Sequence, residues 1–113
     1  MDVVASHSPA RGDVYLVALD NTFGREIKKT RPCVVVSPDQ LNGQLATFIV
    51  APLTRESKDY PFRVPCRFAG KNGHVVPDQI RAVDRARLIR RVGHLAPDTV
   101  SAVLEILQRM FSR

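Results

Sequence analysis

Short apolar runs separated by polar turns make up most of this sequence. The runs are rich in β-branched and aromatic residues and are only four to eight residues long. Runs of this length and composition are typical of short β-strands with buried faces. The pattern predicts strands over residues 14–19, 33–37, 46–52, 60–67, 74–77, 79–83 and 88–95.

The fourth predicted strand has alternating apolar and polar residues. Phe62, Val64 and Cys66 fall on one face, whereas Arg63 and Arg67 fall on the other. This period of two is typical of a strand with one face exposed. Prolines lack a backbone donor, so the two prolines of this segment place the strand at an edge of the sheet.

The end of the chain has the periodicity of a helix. Ala96-Pro97-Asp98 is a helix-start pattern, with proline at an early position and an acid in the first turn. The apolar residues that follow recur at spacings of three and four, which predicts an amphipathic helix. This stripe can bind a partner, but we expect it to pack on the sheet; it contains Val100, Val103, Leu104, Leu107, Met110 and Phe111.

These elements predict a mainly β protein with a C-terminal helix (α+β class), built as a small, strongly bent antiparallel barrel. The 113 residues suffice for a single domain spanning residues 1–113, of which residues 1–10 are expected to form a loose leader. No apolar run approaches the ~18 residues of a membrane span, and no secretory signal is recognised. Cys33 and Cys66 are expected to be reduced thiols of a cytoplasmic protein, because their spacing indicates neither a zinc site nor a disulfide framework.

The net charge indicates a class of partner. Seventeen Lys and Arg residues against eleven Asp and Glu residues give a formal net charge of +6, and the isoelectric point is near 10.0. A small basic domain is a candidate for binding nucleic acid, whose phosphates attract Lys and Arg. Many soluble basic proteins bind no nucleic acid, so charge alone leaves both interpretations open.

A charged loop is expected between the first two strands, at residues 20–32. Loops on a rigid sheet are common places for function. Because Arg31 precedes Pro32, its backbone is biased toward an extended conformation. We therefore expect its side chain to lie at the start of a strand. The charged residues of the loop include Arg25, Glu26, Lys28, Lys29 and Arg31.

Three residues of this sequence are candidates for chemistry, although each also has an ordinary structural explanation. Glu26 can offset the neighbouring lysines, Arg31 can pair with an acid, and Thr54 can be a turn residue. No glycine-rich phosphate loop is present.

The three histidines, His7, His74 and His94, lack the i+4 or cysteine partners of a metal site, so no metal and no cofactor is predicted. His74 and His94 can act as an acid–base pair only if the fold brings them together.

Several short motifs, in order and spacing, resemble the MazF/PemK family of toxin endoribonucleases. The resemblance extends from about Arg11 to the final helix. Its motifs are RGDVYLV at residues 11–17, GRE at 24–26, RPCVVVSP at 31–38, VAPLT at 50–54, YPF at 60–62 and PDQIRAVD at 77–84.

The resemblance implies an SH3-like barrel of the plasmid-maintenance-toxin type that forms a homodimer. It also implies cleavage of single-stranded RNA (mRNA) at short sequences, and inhibition by a cognate antitoxin whose C-terminal segment occupies the RNA groove. Arg31 and Thr54 match the active-site arginine and threonine of the family, and Glu26 matches the acid of its Gly-Ser-Glu-Gln segment. Here that segment reads Gly-Arg-Glu-Ile and Asn21 stands where the family often has proline, so the cleaved sequence does not carry over.

These residue types suit metal-independent RNA cleavage by the neighbouring 2′-hydroxyl, which leaves a 2′,3′-cyclic phosphate and a 5′-hydroxyl. Arg31 supplies charge and paired donors to the phosphate, and Thr54 adds a neutral donor. We prefer Glu26 as proton acceptor, because an arginine base would need a very large fall from the usual, strongly basic pKa of a guanidinium. Side chains expected to hold the RNA are Phe23, Lys28, Lys29, Phe62, Gln79, Arg81, Arg85 and Arg87, the two phenylalanines by stacking on bases.

Two other functions fit the same barrel. One is a toxin that inhibits DNA gyrase by protein contact, and the other is an RNA-binding barrel without catalysis. Gyrase-directed toxins resemble one another in an aromatic C-terminal tail, whereas this chain has no Trp and ends Met-Phe-Ser-Arg. The chain also retains Glu26, Arg31 and Thr54, so the sequence favours the nuclease.

Overall fold

Antiparallel strands and two α-helices build the part of the chain that the computed structural model describes, which is residues 8–19, 24, 29–56 and 60–113. The helices are the short α1 (Asp39–Asn42) and the C-terminal α2 (Pro97–Phe111). The strands found in these residues are β1 (Asp13–Leu19), β2 (Lys29–Val35), β3 (Thr47–Thr54), β4 (Val64–Phe68), β5 (Lys71–Val75), β6 (Arg81–Asp84) and β7 (Leu88–His94).

Strand β3 explains the curvature of the sheet. The strand order is β4-β5-β3-β2-β1-β7, and β6 also pairs with β3. The first half of β3 pairs with β6, whereas Leu53 and Thr54 at its end pair with β5. Because one edge of β3 serves two strands in succession, the sheet bends there into a strongly curled antiparallel half-barrel. This confirms the predicted bent barrel with a C-terminal helix.

The core consists of two clusters, formed by alternate residues of the central strands. On β2, Val34 belongs to the first cluster, whereas Cys33 and Val35 belong to the second. The first cluster is covered by α2, whose Val103 is buried against it. The central strands are therefore buried on both faces, which is why they are continuous apolar runs in the sequence.

Helix α2 packs on the sheet as predicted, although its packed stripe differs from the predicted one. Ala102 and Ile106 join Val100, Leu104 and Leu107 against the first cluster. Phe111, which the periodicity placed in the stripe, is 72% exposed at the last turn. The prediction was wrong at Phe111, which is the last residue of the helix and is not part of the core cluster that the helix covers.

The β4–β5 hairpin departs from its predicted boundaries. Ala69 and Gly70 both have positive φ, 54° and 76°, the backbone of a two-residue type I′ turn that joins antiparallel strands. Strand β5 therefore begins at Lys71, in a segment that the sequence predicted as part of the turn. As expected from its prolines, β4 is an edge strand.

Residues before β4 form a turn where the sequence predicted strand. The N–H of Arg63 donates to the carbonyl of Tyr60 over 3.3 Å. Phe62 has a φ of 67° and is 46% exposed, so its predicted place on the apolar face of the strand was wrong. The alternation is confirmed only from Val64 onward.

The chain is already packed before β1 begins. Pro9 is buried, and the N–H of Ala10 donates to the Asp13 carboxylate over 2.9 Å. Of the predicted leader, residues 1–7 lie outside the described residues. Neither α1 nor α2 is long and apolar enough to cross a membrane.

Candidate active site

Arg31 and Thr54 line one cavity of about 380 Å³. The register of β2 and β3 explains why Arg31 and Thr54 lie near each other. Cys33 on β2 pairs with Pro52 on β3, and continuing this antiparallel register by two residues sets Arg31 opposite Thr54. Arg31 is exposed at the start of its strand, and Thr54 is half-buried at the end of its own. The structure thus brings together two of the three predicted catalytic residues.

The third predicted catalytic residue, Glu26, lies outside the described residues, as do Phe23 and Lys28. Lys29 is exposed at the first position of β2, next to Thr30, which lines the cavity. Its φ is 65°, a left-handed conformation that is uncommon for residues other than glycine.

Four of the predicted RNA-binding residues, Gln79, Arg81, Arg85 and Arg87, do not line this cavity. The guanidinium of Arg85 stacks over the Phe48 ring at 5.1 Å, and Arg87 donates to the carbonyl of Ala18 over 3.0 Å. Phe62 also lies outside the cavity lining. Their RNA contacts stay a prediction.

Cationic and apolar residues together line the cavity. Its charged side chains are those of Arg31, Arg55, Lys71 and Arg90, and no Asp or Glu occurs among the described residues that line it. A concentration of positive charge attracts phosphate groups. The apolar part of the lining includes Leu16, Pro32, Leu53, Phe68 and Val92.

Five polar residues of the cavity were not among the predicted site residues: Thr30, Arg55, Lys71, Asn72 and Arg90. Lys71 and Asn72 fall between two predicted strands, and Arg90 is one polar residue within a predicted strand. Strand pairing explains how Arg90 comes to line the cavity. Arg90 pairs with Leu16 on β1, and Leu16 pairs with Pro32 on β2. A sequence motif cannot predict that Arg90 and Pro32 are near each other, because β7 lies far from β2 along the chain.

Thr54 is held closely by its neighbours. Its Oγ1 accepts a hydrogen bond from the N–H of Glu56 over 3.2 Å. On the other side, a Cβ added to Gly73 would overlap the carbonyl oxygen of Thr54. A residue without a side chain is therefore needed at position 73, where β5 closely approaches the end of β3.

The two cysteines, His74 and His94 are described by their burial and their contacts. Burial raises the pKa of the Cys33 thiol to about 12, and burial also raises that of Cys66 in the cavity wall. Both thiols are free. His74 Nδ1 lies 2.9 Å from the carbonyl of Glu56, whereas His94 Nδ1 lies 3.2 Å from the Asp13 carboxylate. Within the described ranges, no group of three or more His, Cys, Asp or Glu is arranged to hold a metal.

The chain matches a known family over almost its full length. The family model described as PemK-like, MazF-like toxin of type II toxin-antitoxin system matches residues 10–111. This chain belongs to that family. The resemblance inferred from the short motifs is thereby confirmed.

Individual relatives agree with the family assignment. The endoribonuclease toxin MazF of Escherichia coli (strain K12) is 32% identical over 102 residues, which cover 89% of this chain and 92% of that protein. Endoribonuclease EndoA of Bacillus subtilis (strain 168) is 30% identical over 104 residues, covering 87% and 90%. Among solved structures, MazF from Deinococcus radiodurans matches with a TM-score of 0.81 at 27% identity, covering 92% of this chain and 96% of that one.

Proposed function

We propose that this chain is a sequence-specific endoribonuclease that acts in the cytoplasm as the toxin of a type II toxin–antitoxin pair. Its substrate is single-stranded RNA, and cutting mRNA stops translation and growth. One observation carries the proposal: Arg31 and Thr54, two residues far apart in sequence, converge on a cavity lined by cationic residues. The relatives named endoribonucleases support the reaction type.

Arg31 is the main source of transition-state stabilisation in this mechanism. Attack of a ribose 2′-hydroxyl on the adjacent phosphorus places extra negative charge on the phosphate oxygens. The guanidinium is permanently charged and donates through a planar fork, so it can bind two of those oxygens at once. In a cavity partly shielded from water such donors act more strongly than in solution.

Thr54 supplies the second donor. A hydroxyl has one proton to donate and lone pairs that accept. Because Oγ1 already accepts from the Glu56 N–H, its own proton is available for a phosphate oxygen. Glu26 remains our choice as acceptor of the 2′-hydroxyl proton. As the new bond to phosphorus forms, the bond from phosphorus to the 5′-oxygen breaks and that oxygen takes up a proton. The products are thus a 2′,3′-cyclic phosphate and a 5′-hydroxyl, and no metal takes part.

Two protein partners belong to this function. We expect a homodimer that extends the RNA groove across two copies of the chain. The second partner is a cognate antitoxin whose C-terminal segment occupies the same groove. A MazE-MazF structure from Deinococcus radiodurans, 28% identical to this chain with a TM-score of 0.73, supports the pairing.

Incubation of the purified protein with a long single-stranded RNA in EDTA tests the proposal. We expect cuts at a fixed short sequence, with cyclic phosphate ends. Retention of RNA without cuts would instead indicate the RNA-binding barrel. A protein that neither cuts nor retains RNA would favour the gyrase-directed function, which inhibition of gyrase supercoiling would then test.

A further inference from the structure

A buried histidine reaches the Thr54 hydroxyl through one intervening residue. His74 on β5 is only 7% exposed, and its Nδ1 lies 2.9 Å from the carbonyl oxygen of Glu56. The N–H of that same Glu56 donates to Thr54 Oγ1. The strands also pair His74 with Thr54 directly through the backbone. The imidazole is thus linked to the proposed phosphate donor, yet the cleavage mechanism above does not use it.

The partner of Nδ1 determines which way this hydrogen bond runs. A carbonyl oxygen can only accept, so Nδ1 must carry the proton. Both the neutral ring protonated at Nδ1 and the imidazolium satisfy this requirement. The bond can therefore hold the Glu56 carbonyl whether or not the ring is charged.

Holding the Glu56 peptide matters because a threonine hydroxyl rotates about a single bond. The Glu56 N–H occupies one lone pair of Oγ1, which favours one orientation and leaves the proton directed elsewhere. If the peptide turns, that restraint is lost. Small displacements of a reacting or binding group can lower a rate by about 10²-fold without removing any chemical group.

A second contact also reaches Glu56, but it is the weaker restraint. Arg63 Nη1 lies 3.1 Å from the Glu56 carboxylate, whose side chain is 48% exposed. Ion pairs open to water contribute about 0–1 kcal/mol and leave a long side chain free to rearrange. The His74 bond is made from a buried ring to the backbone itself, so it restrains the Thr54–Glu56 turn more directly.

We propose that His74 is a positioning residue for RNA cleavage, which orients the Thr54 hydroxyl by holding the Glu56 carbonyl. The inference rests on the proposed function, because it needs Thr54 to donate to the cleaved phosphate. A purely structural His74 would contribute to folding but would have no specific coupling to Thr54.

Three substitutions of His74 separate the effect of its hydrogen bond from the effect of the volume of its ring. In His74→Asn the side-chain amide nitrogen takes the place of Nδ1, so the donor is kept. In His74→Gln the amide nitrogen takes the place of Nε2, and in His74→Phe the ring is kept without a donor. We expect near-normal single-turnover cleavage for Asn and a loss of about 10-fold or more for Gln and Phe. Binding of an RNA with 2′-deoxyribose at the cut site should stay within a few-fold of wild type for all three.

Coupling to Thr54 decides between positioning and structure. Thr54→Val removes the hydroxyl at nearly constant volume. In that background His74→Gln should cost no further rate, because the group it orients is gone. Equal losses in both backgrounds, or Asn and Gln variants that cut alike, would overturn the inference.

The controls keep the two proposals distinguishable. Thr54→Val alone tests the donor role of Thr54, so wild-type cleavage by that variant would count against the proposed function. Slow cleavage by Thr54→Val with normal cleavage by His74→Gln would overturn only the inference. His94→Asn alters a histidine that contacts Asp13, outside the cavity lining, and its rate should match wild type. If His74→Phe does not fold, the Asn and Gln variants still decide the question.

Discussion

Arg31 on β2 stands opposite Thr54 on β3 when the register of the two strands is continued to their ends. Both side chains line one cavity, at the point where β3 changes partner from β6 to β5. The change of partner that curls the sheet therefore lies beside this cavity. Changes at this bend should affect cleavage even when they leave both side chains intact.

Gly73→Ala tests whether cleavage depends on the packing of strands at this bend. The added Cβ would overlap the Thr54 carbonyl, so either β5 or the end of β3 must move. Overpacking of this kind typically costs about 1–3 kcal/mol of unfolding free energy. We expect that loss in urea denaturation and a lower single-turnover cleavage rate.

Gly43→Ala is the matched control, since a Cβ there would meet nothing nearer than 4.0 Å. It should leave both the stability and the rate close to wild type. A Gly73→Ala protein with unchanged stability and cleavage would show that the close approach of β5 does not position Thr54.

Lys71 and Arg90 should contribute to RNA affinity through their charge. Each phosphate contact to single-stranded nucleic acid adds about 0.7 to the slope of log affinity against log salt concentration. Replacing both residues by Ala should therefore flatten that slope by about 1.4. Binding of a 2′-deoxy RNA at several salt concentrations measures the change.

Arg109→Ala is the control for net charge, because Arg109 is exposed near the end of α2 and does not line the cavity. It should leave the slope unchanged. If the Lys71 and Arg90 variant has the wild-type slope, these two residues do not contact phosphates.

Asp13 should make stability depend on pH in the acid range. Burial alone would raise the pKa of its carboxyl, but bonds from the Ala10 N–H, His94 and Arg91 outweigh burial and lower it. A carboxyl with a lowered pKa stabilises the fold above its unfolded pKa of about 3.9 and loses that contribution as the pH falls further. Asp13→Asn should thus be less stable than wild type at pH 7, and the difference should shrink below about pH 4. Urea unfolding of both proteins across this pH range measures the difference in stability. A difference that does not change with pH would refute the prediction.

The sequence predicted those features that depend on local patterns. Apolar runs indicated the central strands, and period three to four indicated α2. The Arg-Pro and Leu-Thr motifs located Arg31 and Thr54, because a family motif is a short continuous segment. The placement of Arg90 in the cavity lining and of His74 beside Thr54 was not predictable in this way. Each depends on a strand pairing across many residues, and its own neighbours in sequence carry no sign of it.

Turn chemistry explains why the strand predicted from residue 74 begins earlier, at Lys71. The sequence Ala-Gly-Lys-Asn-Gly contains two glycines, and either can end a hairpin. The chain turns at Ala69 and Gly70, with the alanine in a left-handed conformation that is uncommon for that residue. Gly73 is used instead for its lack of a side chain against Thr54.

The central claim is that Arg31 stabilises charge on the phosphate that is cut. Its most direct test is the single-turnover rate at saturating protein, on one RNA in EDTA, for wild type and Arg31→Ala, with binding of the 2′-deoxy analogue measured alongside. We predict a rate lower by about 10²–10³-fold, the usual loss for one such donor, with analogue binding within a few-fold of wild type. Arg31→Lys should recover only part of the rate, because an ammonium lacks the planar fork. Cleavage by Arg31→Ala at the wild-type rate once saturated would contradict the claim and make Arg31 a residue of binding alone.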